Sequence, residues 1–270
     1  MIVILSVIPP PAIVFAVNRY CGTKRSDLKK FAILFLPVGF LIAEVAMQAG
    51  YYLAKGLEAV LGSGVIFVMI DNFIIVALLE EGLKYLPLRW RFSKGDPFTN
   101  PLYAIAISVT VSMGFAFWEQ LYYTLGGTLT SIILRAFLAV PGHMAHSIFM
   151  GWFLYLAAKA ASSGDETGKK KNFRLALLVP TLTHGTYDVI VAMYRLNQSM
   201  VFFWLVFIFA LPLIICSIRL LRRVYRGTDP LSGVPVSASS INNVQADCPP
   251  VQDDDKNNST DNDVPEVFYE

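Results

Sequence analysis

Three charged side chains lie inside a segment that is otherwise apolar enough to cross a membrane. The segment ALLEEGLKYLP contains Glu80, Glu81 and Lys84. An ionisable side chain inside a membrane span costs free energy, so such residues usually face the interior of a helical bundle and take part in function. These residues therefore predict a buried site whose chemistry depends on carboxylates.

The spacing of these three residues indicates how Lys84 pairs with the glutamates and how the two glutamates differ in role. Lys84 follows Glu80 by four residues and Glu81 by three, so on a helix it pairs with either carboxylate and keeps it ionised. Adjacent helical residues diverge by about 100°, so both glutamates cannot point at the same atom. We therefore expect one glutamate to act on the substrate and the other to support it.

Carboxylates and imidazoles recur in the apolar segments that follow. They are Glu119, His143, His146, His184 and Asp188, which include all three histidines of the chain. His184 and Asp188 are one helical turn apart, so the carboxylate either fixes the imidazole tautomer or joins the imidazole in one metal site. We interpret His146, three residues after His143, as a structural hydrogen-bonding residue.

Residue depth predicts which of these side chains meet. Counted at about 1.5 Å per residue along each span, Glu80, His143 and His184 fall near the middle of the membrane and share one layer. Glu119 falls on the outer side of this layer, and Asp188 lies one turn outward of His184. The sequence thus predicts a polar cavity that opens toward the outer half of the membrane.

A membrane-embedded helical bundle is needed to position these residues. Hydrophobic residues make up 55% of the chain and charged residues 16%, which is typical of membrane proteins rather than soluble domains. A helix needs about 20 apolar residues to cross a bilayer. Apolar segments of about that length are residues 2–18, 31–54, 64–88, 102–125, 130–157, 174–194 and 199–220. We predict an all-α fold with about seven transmembrane helices.

The distribution of charge predicts the orientation of the chain in the cell membrane. Lysine and arginine are concentrated after the first, third, fifth and seventh segments, and basic loops stay in the cytoplasm. The N-terminus is therefore expected outside and the C-terminus in the cytoplasm. The basic loops would contact anionic lipid headgroups, so the lipid bilayer is an expected partner and nucleic acid is not.

The composition of the chain changes after residue 226. Residues 1–226 form the predicted membrane domain. Residues 227–270 contain nine carboxylates against one lysine, Lys256, and few large apolar side chains. This composition is typical of disordered segments, so we predict an acidic, disordered cytoplasmic tail.

Four motifs follow one another between residues 77 and 190. They are EExxK at Glu80–Lys84, FxxxE at Phe115–Glu119, a histidine at His143 and HxxxD at His184–Asp188. This order resembles the PrsW family of intramembrane proteases, which is related to the CAAX-prenyl endopeptidases of the CPBP or Abi group. The resemblance implies hydrolysis of peptide bonds in membrane proteins, with anti-sigma factors as the family's substrate class.

The same resemblance assigns roles to individual residues. It makes Glu80 the base that activates water and Glu81 its partner. The residues that it places around the catalytic cavity are Glu119, His143, His184 and Asp188. The prenyl endopeptidases have a histidine in place of the FxxxE glutamate, so the role of Glu119 does not carry over by analogy.

Other mechanisms and other functions fit these residues less well. The chain has no HExxH motif and no mid-span GxSxG motif. The sequence favours metal-free glutamate chemistry without a cofactor, with zinc held by glutamate, histidine and aspartate as the alternative.

Buried carboxylates and histidines also build ion- or proton-coupled transporters. A third interpretation is a catalytically silent binding or immunity protein, in which the motifs only hold the helices together.

Overall fold

The predicted all-α fold is confirmed in the part of the chain that the structure describes. The computed structural model describes residues 7–22, 25–93, 98 and 100–227, without the side chains of residues 25–33. All regular structure in these residues is helical. The predicted acidic tail lies outside the described residues, apart from Gly227.

The helices follow one another with short connections. In chain order they are α1 (Pro9–Tyr20), α2 (Arg25–Leu61), α3 (Val65–Ile70), π1 (Asp71–Leu78), α4 (Leu79–Ser93), α5 (Pro101–Gly126), α6 (Leu129–Leu134), π2 (Arg135–Ala139), α7 (Val140–Ser162), α8 (Glu166–Asn197) and α9 (Met200–Tyr225). The stretches α3–π1–α4 and α6–π2–α7 are each continuous, so each forms one long helical rod with a π-helical section.

Five helical stretches of the described residues are long and apolar enough to cross a membrane. They are Leu34–Leu61, Pro101–Gly126, Leu129–Ser162, Glu166–Asn197 and Met200–Tyr225. The chain is therefore a helical membrane protein, but these stretches do not establish the predicted count of seven. Segment 2–18 is described only from residue 7. Segment 64–88 is helical from Val65, but it contains four charged residues, Asp71, Glu80, Glu81 and Lys84.

Helix α5 lies at the centre of the bundle because small residues let its neighbours approach. A Cβ atom built on Gly39 of α2 would lie 2.7 Å from the Cα atom of Gly114 in α5. On another side of α5, a Cβ on Gly151 of α7 would lie 2.7 Å from Cα of Ile105. Close backbone contact of this kind is how membrane helices gain packing energy without a hydrophobic driving force. Helices α2, α5 and α7 are thereby held in fixed positions.

A π-helical section precedes each of two predicted site motifs. Section π1 ends two residues before Glu80, and π2 ends four residues before His143. A π turn contains more residues than an α turn, so it changes the direction in which the following side chains point, and such sections are frequent at functional sites. Phe73 of π1 also packs closely on Gly185, directly after His184, because glycine leaves room for its ring.

Candidate active site

The side chains that the motifs single out meet in one buried layer formed by α4, α5, α7 and α8. The most deeply buried of them are Glu80, Glu81, Glu119, His143 and His184, none of which is more than 9% exposed. Asp188 lies next to His184 and is partly exposed. The structure therefore brings together all six residues that the sequence places at the site.

Lys84 occupies the centre of the layer. Its Nζ atom lies 2.8 Å from Oε1 of Glu81 and 3.3 Å from Oε2 of Glu80, as the spacing predicts. The same atom lies 3.2 Å from Nδ1 of His143 and 4.0 Å from the ring centre of Phe115. An ammonium group has three donors, and these three polar partners use all of them. Lys84 therefore connects α4 with α5 and α7 and keeps two adjacent carboxylates together in the membrane.

His143 is held from both sides. Because an ammonium group has only donors, Lys84 donates to Nδ1 of His143, and the ring then carries its hydrogen on Nε2. This nitrogen donates to Oε2 of Glu119 at 2.8 Å. The other Glu119 oxygen, Oε1, accepts from Nη2 of Arg135 at 2.8 Å, and Arg135 Nε donates to Gln120. Arg135 thus fixes Glu119 and, through it, the ring of His143.

His184 lies between two carboxylates. Its Nδ1 atom lies 3.0 Å from Oε1 of Glu81, and its Nε2 atom lies 3.1 Å from Oδ2 of Asp188. The Asp188 oxygen is close enough for an ion pair but is not aligned for a hydrogen bond. Oε2 of Glu80 lies 3.9 Å from the same Nε2 atom. The ring orientation of His184 is therefore set by carboxylates on both sides.

His146 also belongs to this layer, although the sequence predicts a structural role for it. Its ring stacks on that of His184 with the centroids 5.0 Å apart. His146 is 3% exposed, yet neither ring nitrogen has a hydrogen-bond partner among the described residues. Its spacing of three residues from His143, which puts both rings on one side of α7, was the signal in the sequence that could have identified it.

Four of these side chains are arranged as a metal site would need. Glu81, His143, His146 and His184 each offer one ligand atom, and these atoms lie within 4.8 Å of one another. Imidazole nitrogens and carboxylate oxygens are the ligands of many zinc sites. The donor set therefore fits a divalent transition-metal ion.

A cavity reaches the layer of charged residues. Its polar lining consists of Glu119, Arg135, His143, His146, His184, Tyr187 and Asp188, and its apolar lining of Leu138, Ala139, Gly142, Ala210 and Leu213. The space open to water-sized molecules is about 30 Å³, which is enough for one or two waters. The cavity thus has room for water beside the histidines.

Glu44 is a carboxylate inside a predicted span that stays outside this layer. It accepts hydrogen bonds from Nε1 of Trp118 and Nε2 of Gln48, both at 2.9 Å. Trp118 directly precedes Glu119, and adjacent helical residues point in different directions. Glu44 therefore joins α2 to α5 and does not contribute to the site.

Comparison with known proteins identifies the family. The model of the family described as PrsW family intramembrane metalloprotease matches residues 29–215. The chain belongs to the PrsW family. Its relatives include proteins named Protease PrsW from Oceanobacillus iheyensis, 28% identical over 185 residues (67% of this chain, 77% of the relative), and Clostridioides difficile, 30% identical over 179 residues (64% and 70%). A third, from Bacillus subtilis, is 33% identical over 148 residues (53% and 65%). No solved structure matches the chain.

Membership of the PrsW family confirms the predicted activity. The chain is an intramembrane protease, and the transporter and silent binding-protein interpretations are not supported by the family assignment.

The family description, intramembrane metalloprotease, also implies a metal ion. The unpartnered nitrogens of His146 and the clustering of four suitable ligand atoms agree with that implication. The residues present therefore fit a bound metal.

Proposed function

We propose that this PrsW-family protease cleaves peptide bonds of membrane proteins at the layer formed by Glu80, Glu81, His143, His146 and His184, with Glu80 as the general base. The observation that supports this proposal is the meeting of carboxylates and imidazoles from four helices in one buried layer next to a water-sized cavity. Hydrolysis of an amide needs a base, a polarised carbonyl and an acid for the leaving amine, and this layer contains groups for each task.

The contacts of the two glutamates favour Glu80 as the base. Oε1 of Glu81 is held by both Lys84 and His184, at 2.8 and 3.0 Å. Glu80 makes one longer contact with Lys84, at 3.3 Å, and lies 3.9 Å from His184. A carboxylate with fewer hydrogen bonds is freer to accept a proton, so Glu80 acts on water and Glu81 supports the site.

We assign the metal-binding role to His143, His146 and His184 together with Glu81. A metal ion bound there would polarise the scissile carbonyl and acidify a water. Glu119 bonds to Nε2 of His143, so a metal ion would bind Nδ1 in place of Lys84, and such carboxylate–histidine pairs orient metal ligands. Asp188 has the corresponding position beside His184. This assignment replaces the metal-free chemistry that the sequence favoured.

Glu80 transfers one proton from the attacking water to the leaving amine. Glu80 takes one proton from water as the water oxygen bonds to the carbonyl carbon of the substrate. When the carbon–nitrogen bond breaks, the protonated Glu80 gives this proton to the leaving amine. Lys84 remains charged throughout and keeps Glu80 and Glu81 in position before and after the transfer.

The proposal includes the orientation of the protein. Seven crossings with the N-terminus outside and the C-terminus in the cytoplasm would place the basic residues at the end of α9, Arg222, Arg223 and Arg226, in the cytoplasm. Residues 227–270 would then form a cytoplasmic tail attached to a membrane domain of residues 1–226. This orientation puts the protease in the cell membrane.

The proposed substrates follow from the family resemblance. They are membrane proteins of the anti-sigma-factor type, cleaved within or beside the bilayer. The EExxK and HxxxD motifs support a further relation to the CAAX-prenyl endopeptidases and the CPBP or Abi group. This chain departs from those enzymes at Glu119, where they have a histidine, and Glu119 forms an ion pair with Arg135.

A comparison of membrane proteomes tests the proposed function. Cells producing the wild-type protein are compared with cells producing Glu80→Gln, which keeps the shape of the side chain and removes the base. We expect fragments of one or more membrane proteins to disappear in the variant. Glu166→Gln, which removes an exposed carboxylate paired with Lys169, is the control and should leave the fragments unchanged. Full cleavage by both Glu80→Gln and Glu81→Gln would reject the assignment.

A further inference from the structure

Gly142 directly precedes His143 and lines the cavity without packing against another helix. Apart from its chain neighbours and the backbone of its own helix, a Cβ atom built on Gly142 would meet no atom of the described residues within 4 Å. In contrast, Cβ atoms on Gly39 and Gly151 would lie 2.7 Å from backbone atoms of α5. Close helix packing therefore explains Gly39 and Gly151 but does not explain Gly142.

The backbone conformation does not explain this glycine either. Gly142 is the third residue of α7, and its conformation is ordinary α-helix. Glycine inside a helix is less favourable than alanine because the unfolded chain has more freedom to lose. Alanine would thus make the helix more stable at this position. The presence of glycine beside the open space therefore needs another explanation.

Other residues around this space point to a ligand that enters it. Ala139 lies one turn before Gly142, and Ala210 of α9 lines the same cavity, so several walls carry only small side chains. His146 lines it too, buried at 3% exposure and with both ring nitrogens unpartnered. A polar group without a partner inside a cavity is a group that a ligand or metal can satisfy.

We propose that Gly142 leaves room in the cavity for the scissile carbonyl group of the substrate, whose backbone lies along the cavity wall during cleavage. The peptide passes Ala139 and Gly142 in extended form, so that its scissile carbonyl comes next to His143 and His146. A glycine lets another backbone approach closely, and an extended peptide presents its carbonyl group for attack. This inference rests on the proposed function and identifies Gly142 as the residue that leaves room for the substrate at the site.

Kinetics of Gly142→Ala and Gly142→Val test the proposal. The probe is a membrane protein whose fragments disappear in cells producing Glu80→Gln, purified and mixed with the full-length protease in detergent. A methyl group in this space would displace the peptide by about 1 Å, and such displacements cost about 100-fold in rate. We expect kcat/KM to fall about 100-fold in Gly142→Ala, with a higher KM, and further in Gly142→Val.

Two accompanying measurements separate a substrate effect from a damaged fold. The melting temperature of Gly142→Ala should equal or exceed that of the wild type, because alanine favours the helix. Gly56→Ala, at another helical site where a Cβ meets nothing within 4 Å, should leave cleavage unchanged and should also melt at or above the wild-type temperature. In the inactive Glu80→Gln background, Gly142→Ala should also reduce the amount of substrate that co-purifies with the protease.

The outcomes distinguish this inference from the function on which it rests. Wild-type kcat/KM and substrate capture in Gly142→Ala would overturn the inference and leave the protease assignment intact. A lower melting temperature together with lower activity would make Gly142 a packing residue and overturn it as well. If the wild-type protein cleaves no membrane protein, the proposed function itself fails.

Discussion

Replacing His146 with phenylalanine separates a metal ligand from a structural histidine. Phenylalanine keeps a flat ring that can stack on His184, as His146 does at 5.0 Å, but it has no nitrogen. In the metal-free protein, His146→Phe removes two buried nitrogens that have no partner among the described residues. In the metal-loaded protein, the same substitution removes a ligand. The two states should therefore respond in opposite directions.

The structure gives the magnitude of each response. A buried polar group without a hydrogen bond costs about 1–3 kcal/mol, so the loss of two such nitrogens should stabilise the metal-free protein by about 2 kcal/mol or more. A ligand present at about 1,000 times its Kd stabilises the folded state by about 4 kcal/mol, and the variant would lose this contribution. Each kcal/mol corresponds to about 2–4 °C in Tm for a chain of this size.

Thermal unfolding of the purified protein, with and without a chelator, measures both responses. Zinc content is determined by elemental analysis on the same samples, and cleavage of a membrane-protein substrate is followed in parallel. Trp152→Phe is the matched control, because Trp152 lies on the same helix and its buried Nε1 also has no described partner. The control should keep its zinc and its activity, and the chelator should shift its Tm as much as it shifts that of the wild type.

One result would refute the reasoning directly. If His146→Phe retains stoichiometric zinc and full cleavage, His146 is not a ligand, and the cluster of four donors does not describe the metal site. If the wild-type protein contains no metal and is insensitive to chelators while it cleaves substrate, the metal-free glutamate mechanism is correct instead.

Three further substitutions probe the contacts that hold the site. Arg135→Met leaves Glu119 without its cation, which should lower the free energy of unfolding by about 3–5 kcal/mol; the double variant with Glu119→Leu should recover part of this loss in a double-mutant cycle. Lys84→Met leaves two adjacent carboxylates in the membrane without a counter-ion, so we expect little folded protein by size-exclusion chromatography and no cleavage. Gly39→Ala places a Cβ 2.7 Å from Gly114 Cα and should lower thermal stability by about 1–3 kcal/mol.

Each of these predictions has a result that contradicts it. Additive losses in the Arg135 and Glu119 cycle would show that the two side chains do not interact. A folded, active Lys84→Met protein would show that the carboxylates do not need the lysine. Equal melting of Gly39→Ala and Gly56→Ala would show that α2 does not pack closely on α5, since a Cβ on Gly56 meets nothing within 4 Å.

The sequence predicted the layer of charged residues because helical spacing and depth are simple functions of residue number. Lys84 pairs with both glutamates at the intervals that a helix dictates. His184 and Asp188 lie together for the same reason. Counting depth along separate spans also placed His143 and His184 at one level, and their ring centroids lie 5.3 Å apart.

Contacts between helices could not be predicted in the same way. The ion pair of Arg135 with Glu119 depends on how α5 and π2 turn toward each other, and a π-helical section changes that direction without a clear sequence signal. The bond from Trp118 to Glu44 depends likewise on the packing of α2 against α5. The sequence predicts a structural role for His146 because a lone histidine in a span is commonly structural, and its place beside the rings of His143 and His184 depends on how α7 packs against α8.

The polar contacts of the layer run without a break from Arg135 through Glu119, His143, Lys84 and Glu81 to His184. In such a chain every member sets the orientation of the next. Linked polar groups are energetically coupled, so deleting one of them does not measure its own contribution to the free energy. Alanine scanning will therefore assign nearly the whole loss of activity to each residue in turn. Individual contributions to catalysis will emerge only when two or more members are replaced together.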